Sequence, residues 1–108
     1  DLIKVNSFNV SPVAIENAIL ACEGVDEVCV TYNDRGLGEK ELVAVIRSTD
    51  KRINIRYITE QIKSKLMHYE LPKDIIVVKE SLPRNEMGKI KRHIVKKTFC
   101  DKEKLNEI

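Results

Sequence analysis

Aromatic side chains are scarce in this 108-residue chain, which has two Phe, three Tyr and no Trp, and they do not alternate with its basic residues. Binding of single-stranded nucleic acid by base stacking needs that alternation, so no nucleic-acid partner is expected. Cysteine is equally sparse. Cys22, Cys29 and Cys100 are odd in number, widely spaced and never in a C-x-x-C pair, which argues against a disulfide framework or a zinc site and fits a reducing cytoplasm. No apolar run approaches the roughly 20 residues that span a bilayer, and Asp1-Leu2-Ile3-Lys4 lacks the apolar stretch of a signal peptide. Charge of one sign is missing too. The 19 basic and 17 acidic residues leave a formal charge of +2, too small a bias to imply nucleic acid or anionic lipid by itself.

What is present suffices for one ordinary domain: hydrophobic residues make up 43% of the chain. The chain starts at Asp1 without a methionine, as a fragment or processed product would. Residues 2–10 alternate apolar and polar side chains (Ile3, Val5, Phe8, Val10) around Asn6-Ser7, which predicts a small hairpin. Ser11-Pro12 offers an N-cap followed by proline at the first helical position. Val13, Ile15, Ala18, Ile19 and Cys22 then recur at helical spacing up to Gly24. Residues 25–32 and the apolar run 42–46 read as adjacent strands joined by a polar loop from Asn33 to Lys40, with Val28 and Val30 on one face. Asn54 can cap a helix lined by Ile55, Ile58, Ile62 and Leu66 and closed by Leu71-Pro72. Residues 75–78 form a third core strand, and a polar loop from Leu82 to Gly88 precedes a final helix over about 90–99, with Ile94 and Thr98 inward. The expected fold is α+β, a small N-terminal hairpin followed by a roughly three-stranded sheet packed with helices. There is no internal repeat and no low-complexity segment.

Chemistry concentrates in residues 82–92, Leu-Pro-Arg-Asn-Glu-Met-Gly-Lys-Ile-Lys-Arg. A Gly88-Lys89 step on an exposed turn can offer an uncrowded ammonium to phosphate oxygens as charge moves during nucleotidyl transfer. The stretch is not a Walker loop: Ile90 follows Lys89 where Ser or Thr would stand, and Pro83 replaces the first glycine. Judged by residues alone, a solvated turn whose lysine meets only water is the favoured reading. The cations Arg84, Lys89, Lys91, Arg92, Lys96 and Lys97 against the single acid Glu86 make a basic RNA-binding module the outside reading. His68 and His93 have no partners at metal-ligand spacing and read as surface or structural histidines, so no metal site is expected in this chain. Tyr69 reads as a helix-end packing residue. No Ser-His-Asp or Cys-His pairing is in evidence.

In order and spacing, several landmarks resemble the C-terminal domain of the adenylate-forming (AMP-binding) superfamily, which comprises acyl-CoA and aryl-CoA synthetases, luciferases and the adenylation domains of nonribosomal peptide synthetases. They are Asp1-Leu2-Ile3-Lys4, Phe8-Asn9-Val10-Ser11-Pro12 with Ile15-Glu16, Val25-Asp26-Glu27-Val28, Gly38-Glu39, Tyr69-Glu70-Leu71-Pro72, and Leu82-Pro83 with Gly88-Lys89. The likeness runs from Asp1 to about Lys97 and is strongest toward acyl-CoA ligases.

The resemblance implies a mobile lid of a larger enzyme, whose large N-terminal domain would be its partner in the same polypeptide. Residues 1–10 would be a hinge-proximal hairpin and 101–108 a tail, with the hinge acid expected one residue before Asp1. Such enzymes join a carboxylic acid, here expected to be a fatty acid, to ATP with Mg2+, and then pass the acyl group to CoA. Lys89 would be the catalytic lysine of the first step, with Gly88 beside the nucleotide. Lys4, Val5, Asn6, Ser7 and Phe8 would face the active site during thioester formation. Ser7 stands where the family usually has glycine; serine fits there if its backbone does not need a positive φ, and CoA is retained as the thiol. The family leaves a peptide-synthetase adenylation domain loading a carrier protein as the alternative. An ordinary hairpin turn is equally compatible with residues 4–8. The isolated domain is expected to be inactive and to bind neither ATP nor CoA tightly.

Overall fold

The computed structural model describes residues 2–34 and 40–100. β1 (Ile3–Val5) and β2 (Phe8–Val10) form an antiparallel hairpin that pairs Ile3 with Val10 and Val5 with Phe8. Helix α1 (Pro12–Leu20) follows at once, because the Ser11 hydroxyl accepts the Ala14 N–H at 3.2 Å and Pro12 presets the first helical φ. β3 (Glu27–Asp34) and β4 (Lys40–Arg47) pair antiparallel, and β5 (Asp74–Val78) joins β4 in parallel, so the order is β3-β4-β5 with β4 central. A parallel neighbour needs a crossover. Here α2 (Ile55–Ile62) supplies it, capped by Asn54, whose side chain accepts the Tyr57 N–H at 2.9 Å.

Alternation along the strands sends side chains to two cores, one on each face of the sheet. Val28, Val30, Leu42, Ala44 and Ile46 meet Ile15 and Ile19 of α1, Ile58 and Ile62 of α2, and Ile3, Val5 and Val10 of the hairpin. Cys29, Val43 and Val45 meet Leu82, Val95 and Cys100 on the other face. Ile15, Ile19, Ile58 and Ile62 are fully buried, each contributing roughly 1.5–3 kcal/mol by leaving water. The three cysteines are buried and form no disulfide with one another, and burial pushes the Cys29 thiol up to about 12 although Arg92 opposes the shift.

The expected order of elements and the α+β class are confirmed, with local corrections. Val13 and Ile55, which the helical spacing predicts on the inner faces, are exposed. α2 ends at Ile62 and does not run to Leu71, because the Ile62 carbonyl accepts N–H groups from both Lys65 and Leu66 and closes the helix there. A single 3-10 turn, His68–Glu70, follows. The last helix, α3 (Arg92–Val95), starts later than Ile90, since Ile90 is held in a β-bridge with Arg84. It continues as a π-helical turn over Lys96–Cys100. Five-residue spacing puts Val95 and Cys100 inward, while Thr98 is exposed and Ile94 only half-buried. Asp1, the Gly38-Glu39 landmark and the tail 101–108 lie outside the described residues.

Candidate functional site

The Lys89 loop is closed on itself before it meets the rest of the domain. Arg84 and Ile90 form an antiparallel bridge, and Lys91 N–H reaches the Pro83 carbonyl at 2.8 Å. Inside the bridge, Asn85 N–H donates to the Lys89 carbonyl at 2.8 Å, and its side-chain oxygen accepts the N–H groups of Met87 (2.9 Å) and Lys89 (3.0 Å). An Asn oxygen taking N–H groups two and four residues on is a local turn device. Gly88 has φ +85°, yet a Cβ there would meet nothing within 4 Å, so glycine is needed for the backbone angle and leaves open space beside Lys89. The Lys89 side chain is exposed.

Two arginine–glutamate pairs fasten this loop to the body. Before it, Arg84 donates from Nε and Nη2 to Glu27 Oε2 and from Nη1 to the Gly88 carbonyl, while Leu82 N–H donates to Glu27 Oε1 at 2.9 Å. After it, Arg92 donates to the Glu16 carboxylate and to the Val30 carbonyl, and Glu16 Oε2 also accepts the Val30 N–H at 2.8 Å. Burial alone would raise the Glu27 carboxyl; the Leu82 N–H and the Arg84 guanidinium outweigh it and hold the group below the usual range. An open groove of about 490 Å3 runs between α1 and the loop, lined by Glu16, Leu20, Glu27, Arg84, Gly88 and Lys89.

The hairpin turn is built differently. Asn6 (φ +46°) and Ser7 (φ +73°) are the positive-φ non-glycine residues among those described, as a two-residue type I′ turn requires at both centres. The condition on which serine was expected to replace glycine without strain is therefore not met: Ser7 sits in the left-handed region. Lys4, Asn6, Ser7 and Phe8 are exposed, but the Val5 side chain is buried in the core, which leaves only its backbone for any ligand. Phe8 stacks on Tyr69 with ring centroids 4.1 Å apart and planes 10° apart, beside a recess of about 240 Å3 lined by Asn6, Lys40, His68, Tyr69 and Lys73.

The two groups of predicted site residues are not brought together. Glu27, under the Lys89 loop, pairs with Arg47 at one end of the β3–β4 ladder; Lys40, beside the hairpin turn, pairs with Asp34 at the other. Eight-residue strands separate those ends by about 24 Å.

Glu27, Arg84, Asn85 and the Phe8–Tyr69 stack were not singled out by sequence as site-building groups. The Asn85 turn carries a local signal, an Asn three residues before Gly88. The Arg84–Glu27 and Arg92–Glu16 pairs join residues 57 and 76 apart, which no local pattern marks. Both arginines had been counted toward a basic face, and their commitment to internal carboxylates weakens the RNA reading. Among the described residues no cluster of three His, Cys, Asp or Glu side chains could hold a metal ion, and no helix is long and apolar enough to cross a membrane.

Comparison with known proteins matches residues 14–89 to the AMP-binding enzyme C-terminal domain family. A CoA ligase of Gibberella moniliformis is 34% identical over 97% of this chain and 18% of its own length. A malonate–CoA ligase of Arabidopsis thaliana is 32% identical over 95% and 19%. Among solved structures, a Mycobacterium tuberculosis fatty acyl CoA synthetase superposes with a TM-score of 0.85 at 28% identity, covering 94% of this chain and 20% of the other. The chain thus spans about a fifth of the length of the proteins it matches.

Proposed function

Because the chain belongs to the AMP-binding enzyme C-terminal domain family, we propose that it serves as the lid domain of a larger acid–thiol ligase whose two half-reactions use opposite ends of this one sheet. In the first, a carboxylate oxygen of the acid attacks the α-phosphorus of ATP and pyrophosphate leaves. Lys89 would supply the ammonium that holds carboxylate and phosphate oxygens together while charge moves, with Gly88 leaving room for their approach. In the second, the thiol sulfur of CoA attacks the acyl carbon, its proton is lost and AMP leaves. Lys4, Asn6, Ser7, Phe8 and the backbone of Val5 would then border the path of the thiol arm.

The single observation that carries this reading is the separation of the two sites by the length of the β3–β4 ladder. A rigid body with both at opposite ends can bring each to one active centre only by turning between steps, a hinge motion against the large N-terminal domain. With no metal-holding cluster among the described residues, Mg2+ accompanying ATP would be bound by the nucleotide and the rest of the enzyme. A fatty acid is the acid we favour, supported by the name of the mycobacterial synthetase, while the malonate ligase supports a shorter acid. Buried cysteines that form no disulfide with one another support a cytoplasmic setting.

The test uses the complete polypeptide, wild type and Lys89→Ala, with ATP–pyrophosphate exchange over fatty acids, malonate and aryl acids. Exchange is expected to fall roughly 10²–10³-fold, about 3–4 kcal/mol of transition-state stabilisation, while thioester formation from preformed acyl-adenylate persists. Unchanged exchange would make the loop structural. The 108-residue chain alone is expected to catalyse neither step.

A further inference from the structure

Lys89 is exposed and its ammonium makes no hydrogen bond or ion pair among the described residues, so whatever aims it must act on the backbone beneath it. Four carbonyl and amide groups define that backbone: the Gly88 N–H and the Lys89 N–H and C=O, all held by Asn85, and the Gly88 C=O, held by Arg84. Among the described residues, Arg84 is the one side chain that ties this peptide to the sheet, because the same guanidinium grips Glu27 at the start of β3. Glu27 in turn has its second oxygen on the Leu82 N–H, and Leu82 is buried in the second core. The planar fork of arginine can serve a carboxylate and a carbonyl at once, whereas lysine is a point charge on a flexible stem. Arg92, by contrast, is fastened to Glu16 and Val30 and makes no hydrogen bond to residues 84–89.

On the reading that Lys89 serves adenylation, we propose that Arg84, seated on Glu27, is a positioning residue for that half-reaction, acting only by holding the Gly88–Lys89 peptide in place. Its influence should disappear when there is no lysine ammonium to aim. It should also be absent from the thioester half-reaction, in which the opposite end of the sheet is used.

The experiment is a cycle in the complete enzyme: wild type, Arg84→Ala, Lys89→Ala and the double variant, each assayed for pyrophosphate exchange and for thioester formation from preformed acyl-adenylate. Arg84→Ala is expected to slow exchange about 10–100-fold, as a misplacement near 1 Å does. Arg84→Lys should recover only part of that loss. Thioester formation should stay within about twofold of wild type, which also shows that the variant is folded, and the double variant should match Lys89→Ala because the two residues act as a unit. An equal fall in both half-reactions, or an Arg84→Ala effect undiminished in the Lys89→Ala background, overturns the proposal. Full exchange in Lys89→Ala alone refutes the assignment of Lys89 and the clamp with it. Collapse in Lys89→Ala with full exchange in Arg84→Ala refutes the clamp alone.

Discussion

The Lys89 loop and the Asn6-Ser7 turn are both tight reversals on the surface, yet one is over-determined and the other strained. Around Lys89, an Asn side chain, a β-bridge and an arginine fork account for the path of the backbone, and the one residue at positive φ is glycine. At the hairpin, two non-glycine residues are held at positive φ by strand pairing on either side and by the Phe8–Tyr69 stack. On the proposed reading, the difference follows from what each would present: a flexible side chain such as lysine aims well only from a fixed base, whereas a turn bordering the thiol arm's path would work through its backbone shape.

The largest effect separating the two regions is expected at Arg92. Arg92→Ala leaves Glu16, with a side chain only 14% exposed, without its cation. Urea denaturation should show a loss of about 2–3 kcal/mol, less than a wholly buried pair would lose because Arg92 itself is 36% exposed. Glu27→Gln comes next, at about 1–2 kcal/mol near neutral pH, reduced by the exposure of Arg84. Since the folded carboxyl is held below its ordinary value of 4.5, its contribution is fully present above that pH and is lost as pH falls through the folded value. Stability of the wild type should therefore drop toward that of Glu27→Gln below about pH 4.5, and a constant gap down to strong acid would refute the pairing. The smallest effect runs the other way. Ser7→Gly removes a left-handed serine and should stabilise the chain by about 0.5–1 kcal/mol, seen as a rise in Tm.

How much could be read in advance depended on the range of the interactions involved. Ser11-Pro12, Asn54 and the Asn6-Ser7 break are local signals: both helices start, and the hairpin turns, where expected. The outward Ile55 and the inward Val95 and Cys100 depend on helix phase, which a one-residue shift or a π-turn resets. That β5 lies beside β4, and that Arg84 and Arg92 are tied to acids, rests on contacts dozens of residues apart. Lys89 itself stood out through family resemblance more than spacing. The positive φ of Ser7 was concealed because serine is a weak marker for the turn that Asn-Gly would have announced.

The central claim, that the two ends of the sheet serve separate half-reactions, is tested most directly by crossing variants with assays. Lys89→Ala and Ser7→Tyr in the complete enzyme would each be scored for pyrophosphate exchange and for thioester formation from preformed acyl-adenylate. The account predicts that Lys89→Ala abolishes exchange and spares thioester formation, and that Ser7→Tyr slows thioester formation about tenfold or more and spares exchange. If either variant depresses both half-reactions to the same extent, the two ends do not divide the chemistry and the account is wrong.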